Sequence, residues 1–164
     1  MYKQLLLLVL FITLVGCGGG KPNESDLEKS FNESFDGFKQ AGIDLSQYIE
    51  ASSFDISDSY EDGRFYVVTA TPKINIKKSL DNAAIQSIDE QAGELSSYIF
   101  VTIKMLEELS KYDAGQINQQ EMMANLQTAH LEKPEGILKA GTTFYGLESE
   151  YKFRKTDNGW MAVE

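Results

Sequence analysis

The sequence predicts an α+β fold, with an antiparallel sheet of two or more hairpins and helices packed on one face. Two turn signals, Asp62-Gly63 and Asn158-Gly159, each lie between segments rich in β-forming residues, as in a hairpin. Apolar residues at helical spacing come before the first hairpin and again between the two. This order of elements favours an antiparallel sheet whose helices are segregated to one side. We expect a single domain over residues 25–164.

The first helix is predicted from Asp26 to Ala41. Ser25 and Glu28 have the spacing of a capping box, in which each side chain accepts the other residue's backbone N–H. Gly42 suits the left-handed residue that ends many helices. The apolar residues form one stripe, which we expect to pack in the core: Leu27, Phe31, Phe35 and Phe38.

The first hairpin is predicted from period-two alternation on both sides of its turn. Phe54 and Ile56 alternate with polar residues, and Arg64 to Ala70 is rich in β-formers. Both faces of this second strand are partly apolar, so we expect it to be covered on both sides. Pro72 interrupts the strand or marks a sheet edge, because proline cannot donate a ladder hydrogen bond.

The segment between the two hairpins is predicted to be helical. Ser79 to Tyr112 carries a broad apolar stripe, which Gly93 either kinks or splits into two helices. A further helix is predicted from Gln116 to Leu131. Pro134-Glu135-Gly136 then ends the helical section.

The final hairpin is predicted to begin with one long strand, with Lys152 and Arg154 on one face and Trp160 in the return strand. The residues expected on the opposite, apolar face are Thr143, Tyr145, Leu147, Tyr151 and Phe153. This closing hairpin resembles that of small cystatin-like or nuclear-transport-factor-two-like domains. The resemblance implies an α+β fold that hosts binding modules and enzymes alike, so it does not fix a function.

An export signal precedes the domain. Lys3 gives a positive start, Leu5 to Val15 is predominantly apolar, and small Gly16 comes before Cys17. The apolar run is shorter than the roughly 20 residues that a membrane-spanning helix needs. We therefore predict a cleaved signal peptide over residues 1–16.

The end of this signal, Leu14-Val15-Gly16-Cys17, resembles the lipobox of bacterial lipoproteins. The resemblance implies cleavage between Gly16 and Cys17, followed by attachment of a diacylglycerol and fatty acids such as palmitate to Cys17. Two or three acyl chains make a durable membrane anchor. Gly18, after the cysteine, implies sorting to the periplasmic face of the outer membrane in a Gram-negative host. Residues 17–24 would then be the lipidated cysteine and a short tether.

The chain is acidic, with 25 acidic and 15 basic residues and a net charge of −10. Nucleic acid is not expected as a partner, because its phosphates attract clustered Lys and Arg. The charge fits either an ordinary solvated surface or a cationic partner attracted over long range. Cys17 is the only cysteine. Its lipidation would leave no thiol for a disulfide, thiolate catalysis or a cysteine metal site.

Possible catalytic residues lack recognisable partners in the sequence. His130 is the single histidine, and no nucleophile or orienting carboxylate is placed with it. Glu107-Glu108 and Asp89-Glu90 could serve as the paired carboxylates of a glycosidase, but such pairs are common on solvated helix faces. We therefore predict that the protein is not an enzyme and has no cofactor.

An acidic cluster beside the first turn partly matches a calcium-binding loop. The match fails because Tyr60 and Thr69 occupy two of the ligand positions. We predict no metal site there and expect a solvated turn, with weak binding of a cation or a basic partner as the alternative. The cluster consists of Asp55, Asp58, Glu61 and Asp62.

One basic patch is predicted on this acidic domain, where the final hairpin lies beside the first. It could be a docking surface, and the alternative is the ordinary polar face of a strand. The candidate partner-binding residues are Arg64, Tyr66, Lys152, Arg154 and Lys155.

These features lead us to expect an envelope lipoprotein anchored through Cys17, acting as a non-enzymatic module that binds or scaffolds another envelope protein. The alternative is an inhibitor or immunity lipoprotein that blocks a cationic hydrolase, such as a lysozyme, or a toxin. A third interpretation is an enzyme that uses the pocket of a cystatin-like fold.

Overall fold

The computed structural model describes residues 20–39, 42–157 and 159–163. The predicted signal peptide and the lipobox ending at Cys17 lie outside these residues, as do Ala41, at the predicted helix end, and Asn158, in the second turn. The described chain forms a five-stranded antiparallel sheet with helices packed on one face. This confirms the predicted α+β class.

Five α-helices and five strands follow one another along the described chain. The helices are α1 (Glu24–Glu33), α2 (Asp36–Lys39), α3 (Asn82–Ala92), α4 (Ser96–Asp113) and α5 (Gln119–Thr128). The strands are β1 (Ile49–Asp62), β2 (Phe65–Ile76), β3 (Thr143–Tyr145), β4 (Ser149–Thr156) and β5 (Gly159–Val163). The strand order is β1-β2-β4-β5, and β3 pairs with the other end of β2.

Helix α1 begins two residues earlier than predicted. Its N-cap is Asn23, whose side chain accepts the N–H groups of Ser25 at 2.9 Å and Asp26 at 3.2 Å. Asp26 accepts the Asn23 N–H at 2.8 Å in return, so the capping box uses Asn23 and Asp26 instead of Ser25 and Glu28. The helix also ends at Glu33, and the short α2 follows it.

Pro72 lies inside the central strand β2 instead of interrupting it. Strand β4 pairs with residues 65–70 and β3 pairs with residues 73–75, so Pro72 falls in the gap between these two partners. There its carbonyl accepts the Gly146 N–H at 2.8 Å. A Cβ on Gly146 would come within 2.8 Å of the Pro72 ring, so the close approach requires glycine.

The long strand predicted before the second turn is two strands, β3 and β4. The interruption at residues 146–148 changes which β3 residue faces the helices. Phe144 is 2% exposed, whereas Tyr145 is 47% exposed. The prediction that placed Tyr145 on the apolar face was therefore wrong. In β4 the alternation is as predicted, with Phe153 buried.

The helical middle divides at Gly93, one of the two predicted outcomes. Gly93 has a φ of +56° and joins α3 to a short 3₁₀ turn before α4. The buried side chains of α3 and α4 form the larger core with one end of the sheet. Helix α5 adds Met122 to this core.

A smaller core lies between α1 and the other end of the sheet. It contains Leu27, Tyr66, Val68, Ala70 and Phe153, with Trp160 packed against it. On the opposite face of this part of β2, Val67 is only 5% exposed, so the strand is buried on both faces, as predicted. There Val67 lies in register between Tyr60 and Lys152. The Lys152 Nζ lies 4.4 Å from the centre of the Phe65 ring.

Candidate functional site

The sheet register brings three of the predicted basic residues to one place. Arg64 follows the first hairpin turn, and Arg154 pairs with Phe65 at the end of β4. With Lys155 and Trp160 these residues line an open cleft of about 500 Å³. We call this the basic-aromatic cleft, formed by Arg64, Phe65, Arg154, Lys155 and Trp160 together with Glu61 and Gly63.

The other two predicted residues lie beside or behind the cleft. Lys152 is on the same sheet face as Phe65, with its amine over the Phe65 ring. Tyr66 is only 3% exposed, because its side chain points toward α1. Its hydroxyl donates to Ser59 Oγ at 3.2 Å, and its ring centre lies 5.9 Å from that of Trp160. Tyr66 therefore packs against the Trp160 ring inside the protein and is not part of the exposed surface.

Trp160 is the residue that the sequence interpretation missed. It pairs with Lys155 across β4 and β5, on the face opposite to Arg154. Its indole Nε1 donates to the carbonyl of Gly20 at 2.7 Å. The only sequence signal for this role is that it is the single tryptophan of the chain and directly follows a predicted turn.

A second hollow, of about 390 Å³, lies on the other side of Trp160. We call it the tether-side hollow, formed by Gly20, Lys21, Asn23, Asp26, Lys29, Gly159 and Trp160. Lys21 Nζ lies 5.7 Å from the centre of the Tyr66 ring. A hydrogen bond with the Tyr66 hydroxyl raises the pKa of Lys21, so its amine stays charged at neutral pH.

Cations therefore surround Trp160. The two hollows are lined by five basic and two acidic residues, although the whole chain has a net charge of −10. Among the ion pairs formed by the described residues, none includes Arg64, Arg154 or Lys155. Arginine groups that are not engaged by carboxylates present fork-shaped donors for a phosphate or a carboxylate.

A buried charge network lies at the other end of the molecule. Glu107 on α4 is fully buried and accepts three backbone N–H groups from the loop before β3. The distances are 2.8 Å to Glu135, 2.7 Å to Gly136 and 3.4 Å to Ile137. Its carboxylate therefore holds this loop against the helix.

The neighbouring Glu108 is equally buried, and its partners lie on α4 and α5. It accepts hydrogen bonds from Lys111 at 2.8 Å and from Asn125 of α5 at 2.7 Å. The buried amine of Lys104 lies 3.5 Å from Glu108 and 2.7 Å from Glu135. We call Lys104, Glu107, Glu108, Lys111 and Glu135 the buried charge network.

The pKa shifts of Glu135 and Glu108 favour the charged forms of these two carboxyl groups. Hydrogen bonds from Lys104 and Lys111 lower the pKa of Glu135 to about 2. Burial opposes the charge of Glu108, but the bonds from Lys111 and Asn125 outweigh it, and the pKa of this carboxyl is lowered. The Glu107-Glu108 pair considered for a glycosidase thus has its oxygens engaged inside the protein.

The remaining candidates lie apart from one another. His130 is exposed in a 3₁₀ turn after α5. The acidic cluster near the first turn is exposed along β1. A third hollow, of about 490 Å³, lies between α1 and the start of β1, where Lys39 and Asp36 pair at 2.7 Å and Lys77 and Glu50 at 3.6 Å.

The described residues contain neither a metal-binding cluster nor a membrane-spanning helix. Across these residues, no three His, Cys, Asp or Glu side chains are grouped so that they could hold a metal ion. None of the described helices combines the length and the apolar character that a bilayer crossing requires.

Comparison with known proteins identifies no relative of this chain. No protein-family model matches the chain, and comparisons with curated proteins and with solved structures find no significant match.

Proposed function

We propose that this protein is a lipid-anchored envelope lipoprotein whose basic-aromatic cleft binds an anionic group of another envelope component. One observation carries the proposal. Arg64, Arg154 and Lys155, which belong to none of the ion pairs between described residues, lie in the cleft beside Trp160. Trp160 in turn holds Gly20, three residues after the proposed lipidation site Cys17. The chain from the proposed anchor would therefore reach the domain at the same end as the candidate binding surface.

The chemistry of the cleft suits binding. Arg64 and Arg154 offer planar donor groups that match a phosphate or a carboxylate, and Lys155 adds a point charge. Phe65 and Trp160 supply apolar walls that limit the water around these charges. Our proposal therefore assigns the cleft to recognition, and it assigns no catalytic role to its residues.

The proposed anchor is tested by fatty-acid labelling of the full chain in a bacterial host. We expect Cys17→Ala to abolish the labelling, because no second cysteine is available. Arg154→Gln serves as the control and should be labelled like the wild type. Labelling that survives Cys17→Ala would refute the anchor.

The proposed binding site is tested by photo-crosslinking in intact cells. A crosslinking amino acid at position 154 should yield adducts with envelope components. The same amino acid at position 139, beyond the opposite end of β2, is the control and should yield none. Equal adducts from both positions, or none from either, would refute the cleft as the binding site.

The exposed edge of β1 favours a second candidate function, inhibition of a cationic hydrolase or toxin. This strand is 14 residues long and, among the described strands, pairs with β2 alone. It exposes the acidic side chains of Asp55, Asp58, Glu61 and Asp62. An inhibitor of this kind would protect cells from a defined basic enzyme such as a lysozyme. Its affinity would fall steeply with salt, because exposed charges are screened.

A further inference from the structure

We propose that the anionic partner of the basic-aromatic cleft is the phospholipid surface of the bilayer that holds the anchor. The domain would then dock on its own membrane and would not hang freely from a tether. This inference rests on the proposed function, because it requires acyl chains on Cys17.

The first support is the short reach of the chain between the anchor and the cleft. The carbonyl of Gly20 is held at 2.7 Å by Trp160 Nε1, and Gly20 comes three residues after Cys17. Three residues span about 11 Å at most. The predicted tether covers residues 17–24, but the chain is held against the domain from Gly20 onward. Only residues 17–19 therefore separate the proposed anchor from the domain.

The second support is the distribution of charge. Because at most about 11 Å of chain separates Cys17 from Gly20, the headgroups around the anchor would lie about one screening length from the cleft. That length is about 10 Å at moderate ionic strength, so the headgroup phosphates would still attract the cations of the cleft. The rest of the acidic chain is repelled by the same surface. Attraction at one end and repulsion elsewhere orient the domain with Trp160 toward the lipid.

The third support is the chemistry of the exposed groups. Guanidinium groups bind phosphate oxygens through paired hydrogen bonds. Tryptophan is favoured at the headgroup level, where its apolar ring and its polar N–H are both accommodated. Arg64 and Arg154 are exposed and the ring of Trp160 is partly exposed beside them, so together they provide what an anionic lipid surface recognises.

Trp160 also provides the measurement, because it is the only tryptophan in the chain. The lipidated full-length protein is inserted into phosphatidylcholine vesicles, with and without an equal part of phosphatidylglycerol. A spin-labelled lipid headgroup in both vesicles quenches tryptophan fluorescence at close range. We expect quenching to be at least about twofold stronger in the anionic vesicles, because each nearby Lys or Arg adds attraction. High salt should remove the difference.

The test variant reverses three charges, Arg64→Glu, Arg154→Glu and Lys155→Glu, and should lose the difference between vesicles. The control reverses three lysines beyond the opposite end of β2, Lys77→Glu, Lys78→Glu and Lys139→Glu, and should keep it. If the test variant fails to fold, the neutral variant with Gln at positions 64, 154 and 155 replaces it and should weaken the difference.

Co-flotation with vesicles separates the two ways of failing. A protein that does not float with either vesicle lacks the anchor, and the proposed function fails. A protein that floats but is quenched equally in both vesicles refutes docking on anionic lipid. Equal quenching together with crosslinks from position 154 to an acidic protein would assign the cleft to that protein instead.

Discussion

The buried charge network and the basic-aromatic cleft contain the same kinds of side chain in opposite situations. In the network, Lys104 and Glu108 are almost completely buried, and each has partners within hydrogen-bond or ion-pair distance. In the cleft, Arg64 and Arg154 are exposed and belong to none of the ion pairs of the described residues. A buried charge is stable only when a partner of opposite charge or a hydrogen bond compensates for its lost hydration, whereas an exposed charge is solvated by water and remains available to a ligand.

This comparison teaches which acidic and basic residues serve the fold and which can serve recognition. Burial together with complete pairing assigns Glu107 to holding the loop before β3. Exposure beside an aromatic wall assigns Arg154 to an outside ligand in our proposal. Variants in the two regions should therefore separate stability from binding.

The largest expected effect is that of Glu107→Ala. The change removes the fully buried acceptor of three part-buried backbone N–H groups. We expect the free energy of unfolding to fall by about 3–5 kcal/mol in urea denaturation, because each lost bond to a charged group is costly. Glu90→Ala, at an exposed site on α3, is the control and should cost less than about 0.5 kcal/mol. Similar losses from the two variants would show that the network does not hold the loop.

A smaller effect is expected when acid protonates Glu135. Its pKa is about 2 in the folded protein, below the ordinary 4.5, so its charged form stabilises the fold above pH 4.5. That contribution is lost as the pH falls from 4.5 toward 2. The side chain is half exposed, so screening limits the effect to about 1 kcal/mol. Urea titrations at several pH values should show a shallower acid loss in Glu135→Gln, and an unchanged slope would contradict this assignment.

The smallest effect on stability is expected in the cleft. Neutralising Arg64, Arg154 and Lys155 together with Gln removes no ion pair between described residues, so the free energy of unfolding should change by less than about 1 kcal/mol. In the same variant, the difference in Trp160 quenching between anionic and neutral vesicles should be weakened. A large loss of stability would show that these cations serve the fold, and the contrast between the two regions would disappear.

Local patterns predicted most of the fold. Alternation around Asp62-Gly63 gave both strands of the first hairpin, and the helix-forming stripe broken at Gly93 gave α3 and α4. One error has a local cause and another has a long-range cause. Both Asn23 and Ser25 are suitable N-cap residues. The helix uses Asn23, because the Asp26 carboxylate accepts the Asn23 N–H and completes the capping box. The gap between β3 and β4 depends on Pro72 and Gly146, which meet only after folding.

The two charged regions differ in how far the sequence could predict them. Arg154 and Lys155 are neighbours on one predicted strand, and the prediction that the two hairpins share a sheet brings Arg64 near them, as the pairing of Phe65 with Arg154 confirms. The role of Glu107 could not be predicted, because its loop partners are 28 to 30 residues away. The place of Trp160 beside Gly20 was equally hidden, since no local pattern links positions so far apart.

The hydrogen bond from Trp160 to Gly20 joins positions 140 residues apart, and this separation has a consequence for the order of events during synthesis. Contacts between such distant positions close late in folding. Because the chain leaves the ribosome N-terminus first, this bond cannot form until β5 has also been synthesised. In the proposed lipoprotein, the segment after Cys17 would thus remain accessible to the modifying enzymes throughout export. It would be fastened to the domain only when the last strand completes the sheet.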